Sequence, residues 1–222
     1  MDDPLVRALD VCRVYGSGPW AVEAVVGATF SIRTGDHLAM VGPSGSGKST
    51  LLHLIAALDR PSSGTIEWPG LGPRDGLRPG PVAVAFQGQS LLPPLTVLEN
   101  VELPVLLAGG SGYDARAGAE RLIAMFELED VSRRLPEEIS AGQAQRASVA
   151  RALTGTPRLV LADEPTGQQD REGAHRVMRS ITAETGRTGA ALVVATHDPA
   201  VAAMVSQRWA VDGGRLRTAV PV

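Results

Sequence analysis

The stretch Gly42-Pro43-Ser44-Gly45-Ser46-Gly47-Lys48-Ser49-Thr50 constrains this chain more than any other. It fits the pattern G-x-x-x-x-G-K-[ST]. An apolar run, His37–Val41, reads as a buried strand before it, and residues 51–58 read as helix after it. Each residue type has a physical task. Glycines let the backbone turn tightly and bring its N–H groups close to phosphate oxygens. The start of the helix adds unpaired N–H donors and the positive end of a dipole. Lys48 reaches the β- and γ-phosphates as a point charge, and the Ser49 hydroxyl suits Mg²⁺.

The remaining punctuation supports an α/β fold. Residues 6–15 and 22–32 are rich in β-branched side chains and flank a Gly-Ser-Gly-Pro turn at 16–19. Short strands are expected at 65–68, 82–87, 158–162 and 191–196, and again around Asp212-Gly213-Gly214. Helices are expected at 96–107, 114–126, 142–154, 171–185 and 199–205. Residues 69–81 are dominated by Gly, Pro and Arg and read as a loop. Strands and helices alternate on both sides of an all-helical middle, so an α/β core with a helical insert is expected.

Asp163 closes the apolar run 159–162 and is followed by Glu164. An acid at the carboxyl end of a buried parallel strand lies where open α/β sheets bind ligands. Asp163 there suits Mg²⁺, and Glu164 suits activation of an attacking water. Composition narrows the rest. A formal net charge of -3 argues against a basic nucleic-acid surface. One cysteine, Cys12, allows no intrachain disulfide. The start Met1-Asp2-Asp3-Pro4 lacks the features of a secretory leader, and no apolar run approaches the ~20 residues of a membrane helix. A membrane role would be borrowed from a partner.

Further motifs carry a resemblance. Ile139-Ser140-Ala141-Gly142-Gln143, then Gln145-Arg146 and Ala150-Arg151-Ala152-Leu153, precede Leu161-Ala162-Asp163-Glu164-Pro165-Thr166. Gln87 ends the expected strand 82–87, His197 follows the strand ending at Thr196, and Tyr15 lies upstream of the phosphate loop. Together these resemble the ATP-binding subunits of ABC transporters over essentially the whole chain. The resemblance implies a P-loop NTPase (RecA-like) core with an N-terminal antiparallel β subdomain and an inserted helical subdomain. One domain, 1–222, would comprise the core at 1–87 and 158–222 and the helical insert at 88–157.

It also implies a mechanism. Two copies would sandwich two Mg²⁺-ATP molecules head to tail, with Ser140, Ala141, Gly142 and Gln143 of one chain on the γ-phosphate held by the other. Residues 42–50 would bind the phosphates and Tyr15 would stack on adenine. Ser49, Asp163 and Gln87 would serve the Mg²⁺. Glu164, His197, Gln87 and Lys48 would serve catalysis, and Asp170 the dimer contact. A separate integral-membrane permease is the implied partner, with the chain peripheral on the inner, cytoplasmic face of the membrane. Leu58-Asp59-Arg60-Pro61-Ser62-Ser63-Gly64, and the stretch from Leu91 to Pro104, resemble the branch serving lipoprotein release, macrolide export and cell division.

The chain departs from that pattern at three places, one of them the loop 69–81, which is poor in the charged and apolar residues common there. Ala141 stands where a glycine is usual, so a Cβ would crowd the γ-phosphate or the backbone would need positive φ. Gln169 replaces a hydrophobic residue before Asp170 and is expected to loosen packing across the dimer. A nucleotide-gated module with weak turnover is therefore a second reading. A soluble ABC ATPase acting outside transport is a third. The apolar residues Leu91, Leu92, Leu95 and Val97 read either as a partner surface or as packing within the helical insert.

Overall fold

Residues 3–88 and 90–221 are described by the computed structural model. Met1 and Asp2, part of the amino-terminal tetrapeptide read above, lie outside the described residues. Strands β1 (Val6–Tyr15) and β2 (Val22–Ile32) form an antiparallel hairpin. Strand β3 (His37–Val41) enters a second sheet, and helix α1 (Lys48–Ile55) leaves it. Strand β4 (Ser63–Glu67) returns to pair with β1, which completes a three-stranded sheet in the order β2-β1-β4.

After β5 (Val82–Ala85) come three helices, α2 (Val97–Leu107), α3 (Gly112–Met125) and α4 (Ala141–Thr154). The chain then runs through β6 (Leu159–Asp163), α5 (Arg171–Thr188), β7 (Ala191–Thr196), α6 (Pro199–Ala202), β8 (Gln207–Asp212) and β9 (Arg215–Pro221). The second sheet has the order β5-β6-β7-β3-β8-β9, parallel throughout except for β8–β9.

Every residue of β6 and β7 is buried, as a parallel strand covered on both faces requires. The two faces take alternate side chains. Leu159 and Leu161 join the core shared with β1, β2 and α1, whereas Val160 and Ala162 join the core shared with α2, α3, α4 and α5. Trp68 and Trp209 are core residues. The Trp68 indole donates to Ile55 O, and Trp209 packs on Phe30.

Local chemistry moved several expected boundaries. β5 stops at Ala85, so Gln87 lies two residues past the strand instead of ending it. Phe86 and Gln87 are exposed, and Gly88 turns the backbone at φ 84°. α3 starts at Gly112 because Ser111 caps it, its hydroxyl accepting from Asp114 N at 3.0 Å. Fully buried Asn100 shapes the turn before α2. Its Oδ1 accepts from Leu92 N, and its Nδ2 donates to the carbonyls of Leu92, Leu95 and Thr96. Leu91 and Val97 are thereby buried, while Leu92 stays 43% exposed.

A buried carboxylate joins the helical insert to the core. Glu184 on α5, with its side chain 1% exposed, accepts two hydrogen bonds from Arg121 on α3 and two from Arg187. Burial alone would raise the Glu184 pKa, but the Arg187 and Arg121 hydrogen bonds and charges outweigh it and bring it from 4.5 to about 2. A depressed folded pKa contributes stability that is complete above the unfolded value of 4.5 and is lost as pH falls toward 2. Glu184→Gln should therefore cost about 2 kcal/mol at pH 7. The gap to the parent should close between pH 4.5 and 2 in urea melts. A gap constant with pH would disprove the assignment.

Candidate functional site

Four parallel strands end side by side in the order β5, β6, β7, β3. Past their carboxyl ends stand Gln87, then Asp163 and Glu164, then Thr196 and His197, then Gly42. The fold therefore gathers on one sheet edge residues spread over more than a hundred positions of sequence. Open α/β sheets bind ligands along this edge.

The phosphate loop is built around positions that only glycine fills. Gly47 caps α1 at φ 106°, where a Cβ would collide with the Ala24 carbonyl. Among the described residues no side chain caps α1, so its first N–H groups are available to an anion. Lys48 is only 7% exposed. Its Nζ donates to Gly42 O at 2.8 Å and Pro43 O at 2.9 Å, which fixes the positive charge at the centre of the loop.

Asp163 is buried beside Ser49. Burial raises its pKa most, the Ser49 hydrogen bond opposes this, the Glu164 charge adds to the rise, and His53 and Lys48 pull it down. Its Oδ1 has no hydrogen-bond partner among the described residues. A buried, unsatisfied carboxylate oxygen is costly unless a ligand completes it. A hydroxyl and one carboxylate beside a phosphate loop form the oxygen-rich, partly open donor set that Mg²⁺ takes.

Glu164 has a left-handed backbone, φ 47°, which costs a non-glycine residue about 1–3 kcal/mol. Surrounding bonds hold it there. Its N donates to Ala195 O, and its carbonyl accepts from Gln145 Nε2 at 2.8 Å. The carboxylate accepts from His197 N at 3.1 Å and from Thr196 Oγ1 at 3.3 Å. It meets His197 Nδ1 at 2.7 Å. With Glu164 accepting, the ring proton sits on Nδ1 and Nε2 is free. The His197 side chain is exposed.

The other expected residues form a second group. Ser140 caps α4: its Oγ accepts from Gln143 N at 3.2 Å, and Gln143 Oε1 accepts from Ser140 N at 2.9 Å. Ala141 is the first residue of the helix, exposed, and has no positive φ, so neither Cβ nor backbone is under strain there. Asp170 caps α5 through Gly173 N at 2.7 Å. Among the described residues no hydrogen bond joins Ser140–Gln143 to the phosphate loop of the same chain. Tyr15, 39% exposed, donates to Asp59 at 2.7 Å, with the Arg13 guanidinium 4.4 Å from its ring centre. Gln145 and Thr196 bind Glu164, a role the sequence did not give either of them, although Gln145 belongs to the motif quoted above and Thr196 ends the strand before His197. Gln145 is 19 residues from its partner, a separation with no local signature.

This geometry agrees with the comparisons. The family model described as ABC transporter matches residues 25–167. The chain belongs to the ABC transporter family. It is an ATP-binding subunit of the ABC type, and its relatives carry names from the same branch. It is 36% identical over 221 residues to the lipoprotein-releasing system ATP-binding protein LolD of Bordetella pertussis, covering 96% of each chain. It is 38% identical over 220 residues to the macrolide export ATP-binding/permease protein MacB of Marinobacter nauticus, covering 96% of this chain and 34% of that one. The ABC fold also matches a solved bacterial ABC transporter cassette in two dimeric structures, one a post-hydrolysis state bound to ADP and Pi. Both give a TM-score of 0.88 and 31% identity, covering 98% of this chain and 100% of the other.

Proposed function

We propose that this subunit binds Mg²⁺-ATP on residues 42–50, closes on a second copy of itself, hydrolyses the γ-phosphate and so drives a separate membrane permease. The observation carrying the reading is Glu164, its strained backbone held by Ala195 and Gln145 and its carboxylate by His197 and Thr196, on the sheet edge that also bears Lys48 and Asp163. Lys48 neutralises the terminal phosphates, and Tyr15 offers the base an aromatic face. Ser49, Asp163 and Gln87 would hold Mg²⁺, which supplies charge neutralisation and in-line alignment of the phosphates. Glu164 orients the attacking water and accepts its proton, and His197 Nε2 reaches toward the γ-phosphate.

Ser140 suits the second half of a shared site. Its oxygen accepts from Gln143 N, so its O–H is free to donate to a phosphate, beside the uncommitted N–H groups of the first turn of α4. In the proposed dimer those donors serve the partner's γ-phosphate. ATP then bridges two chains, and hydrolysis removes the bridge.

A groove of about 660 Å³ supports the permease. It runs between residues 78–86 and the helices α2 and α4, with an apolar lining that includes exposed Phe86, Leu92 and Leu107. Among the described residues its charged lining is Arg78 and Arg151. Arg78 Nη1 is buried with no hydrogen-bond partner among the described residues, and burial lowers the pKa of both guanidinium groups. The groove suits an amphipathic helix bearing a carboxylate, presented by a cytoplasmic loop of the permease. No helix among the described residues is long and apolar enough to cross a membrane, so the spanning part would be the partner's. The subunit would then sit on the cytoplasmic face.

Phosphate release from ATP, by the chain alone or with its permease, tests the enzyme reading; none in either form would overturn it. Arg78→Glu should cut recovery of the tagged chain with membranes by about tenfold, the loss of one buried charge pair, with ATP affinity unchanged. Undiminished recovery would remove the groove from the interface.

A further inference from the structure

Gln169 occupies a slot between the first turns of α4 and α5. Its Nε2 donates to Gly142 O at 2.8 Å, and its Oε1 accepts from Arg146 Nη1 at 3.5 Å. Both helices make room with a glycine. A Cβ at Gly142 would lie 3.2 Å from the Gln169 amide nitrogen and 3.1 Å from Gln168 O. A Cβ at Gly173 would lie 3.1 Å from Gln169 Oε1. Gln145 makes a second attachment, donating to Glu164 O at 2.8 Å and accepting from Gln168 N at 2.9 Å. Two glutamines therefore fasten the loop from Glu164 to Asp170 onto the start of α4.

The fastening has a direction. Gly142 lies in the turn whose N–H groups and Ser140 hydroxyl form the proposed phosphate-binding end of α4. Its carbonyl is held by the same loop that sets the backbone of Glu164. The backbone of Glu164 and the Ser140 turn are thus bonded to one loop. An aliphatic side chain of similar length would fill the slot but offer neither hydrogen bond.

We propose that Gln169 is a positioning residue: it registers the Ser140–Gln143 turn to Glu164 of the same chain, linking closure on the partner's nucleotide to water attack on its own. The inference rests on the dimer reading given under the proposed function. Gln169 acts within its own chain and favours the dimer, where the sequence suggested that it loosens packing across one.

The test uses the full chain with Glu164→Gln, in which ATP-dependent dimers are scored by light scattering. Adding Gln169→Leu or Gln169→Met, each of which fills the slot without the donor to Gly142 O, should raise the ATP concentration for half-maximal dimerisation about tenfold. That corresponds to one hydrogen bond lost from each of two chains. ADP affinity of the monomer should not change, and its melting temperature should fall only by the few degrees that one lost hydrogen bond costs, whereas a general packing defect would lower both further. A dimerisation midpoint within about twofold of the parent, or an equal loss of monomer ADP affinity, would overturn the assignment. If the Glu164→Gln parent itself never dimerises with ATP, the dimer reading falls and this inference falls with it.

Discussion

Glu164→Gln is expected to slow steady-state phosphate release by about 10³-fold, the scale of losing a positioned general base. Affinity for Mg²⁺-ATP should stay within about threefold, because phosphate binding depends on Lys48 and the loop N–H groups, which this change leaves in place. The amide is close to isosteric: its oxygen, in the Oε1 position, still accepts from His197 N, its NH2 faces Thr196 Oγ1 in place of Oε2, and the strained backbone at Glu164 remains held by Ala195 O and Gln145 Nε2. What disappears is the acceptor for the water's proton. ATP should therefore stay intact between two subunits, and a dimer should accumulate on size exclusion with ATP but not with ADP. Comparing the variant and parent in single-turnover experiments separates this from a binding defect. Turnover within tenfold of the parent would move the catalytic role elsewhere, with His197 the next group to test.

The sequence was most legible where function depends on local pattern. The phosphate loop needs glycines at fixed offsets from a lysine, and its strand and helix flanks carry their own periodicities. Asp163 and Glu164 were legible because a fully apolar strand leads into them. Contacts made across elements were not. Arg121 and Glu184 are 63 residues apart, and Arg78 and Arg151 share a groove only after β5 has packed against α4. Asp170 was read as a dimer contact from a motif, whereas its immediate work is capping α5, so its carboxylate serves the fold before any partner arrives. At Ala141 the backbone arm of the expectation falls away: the position lies in the first turn of a helix with no positive φ, where alanine is well suited. Which of several leucines faces solvent was also beyond sequence: buried Asn100 decides it by bonding the turn that exposes Leu92 and hides Leu91.

Lys48→Ala is expected to reduce Mg²⁺-ATP affinity by about 10²-fold in calorimetry. Two charge-assisted hydrogen bonds to phosphate oxygens, each worth about 1.5 kcal/mol, account for that factor. Stability should change less. The ammonium gives up two bonds to Gly42 O and Pro43 O, but those carbonyls lie at an open loop where water replaces it. Lys48→Arg should not restore binding. The buried ammonium sits 2.8 and 2.9 Å from two loop carbonyls, and a planar guanidinium fork needs space that those carbonyls occupy. Gly47→Ala gives a different failure: its Cβ meets the Ala24 carbonyl, so the loop distorts and melting temperature falls along with affinity. Lys48→Ala should therefore lose binding with the fold retained, and Glu164→Gln should lose turnover with binding retained. Unchanged calorimetry for Lys48→Ala would mean that the nucleotide binds somewhere other than the sheet edge, and every role assigned to Asp163, Glu164 and His197 would go with it.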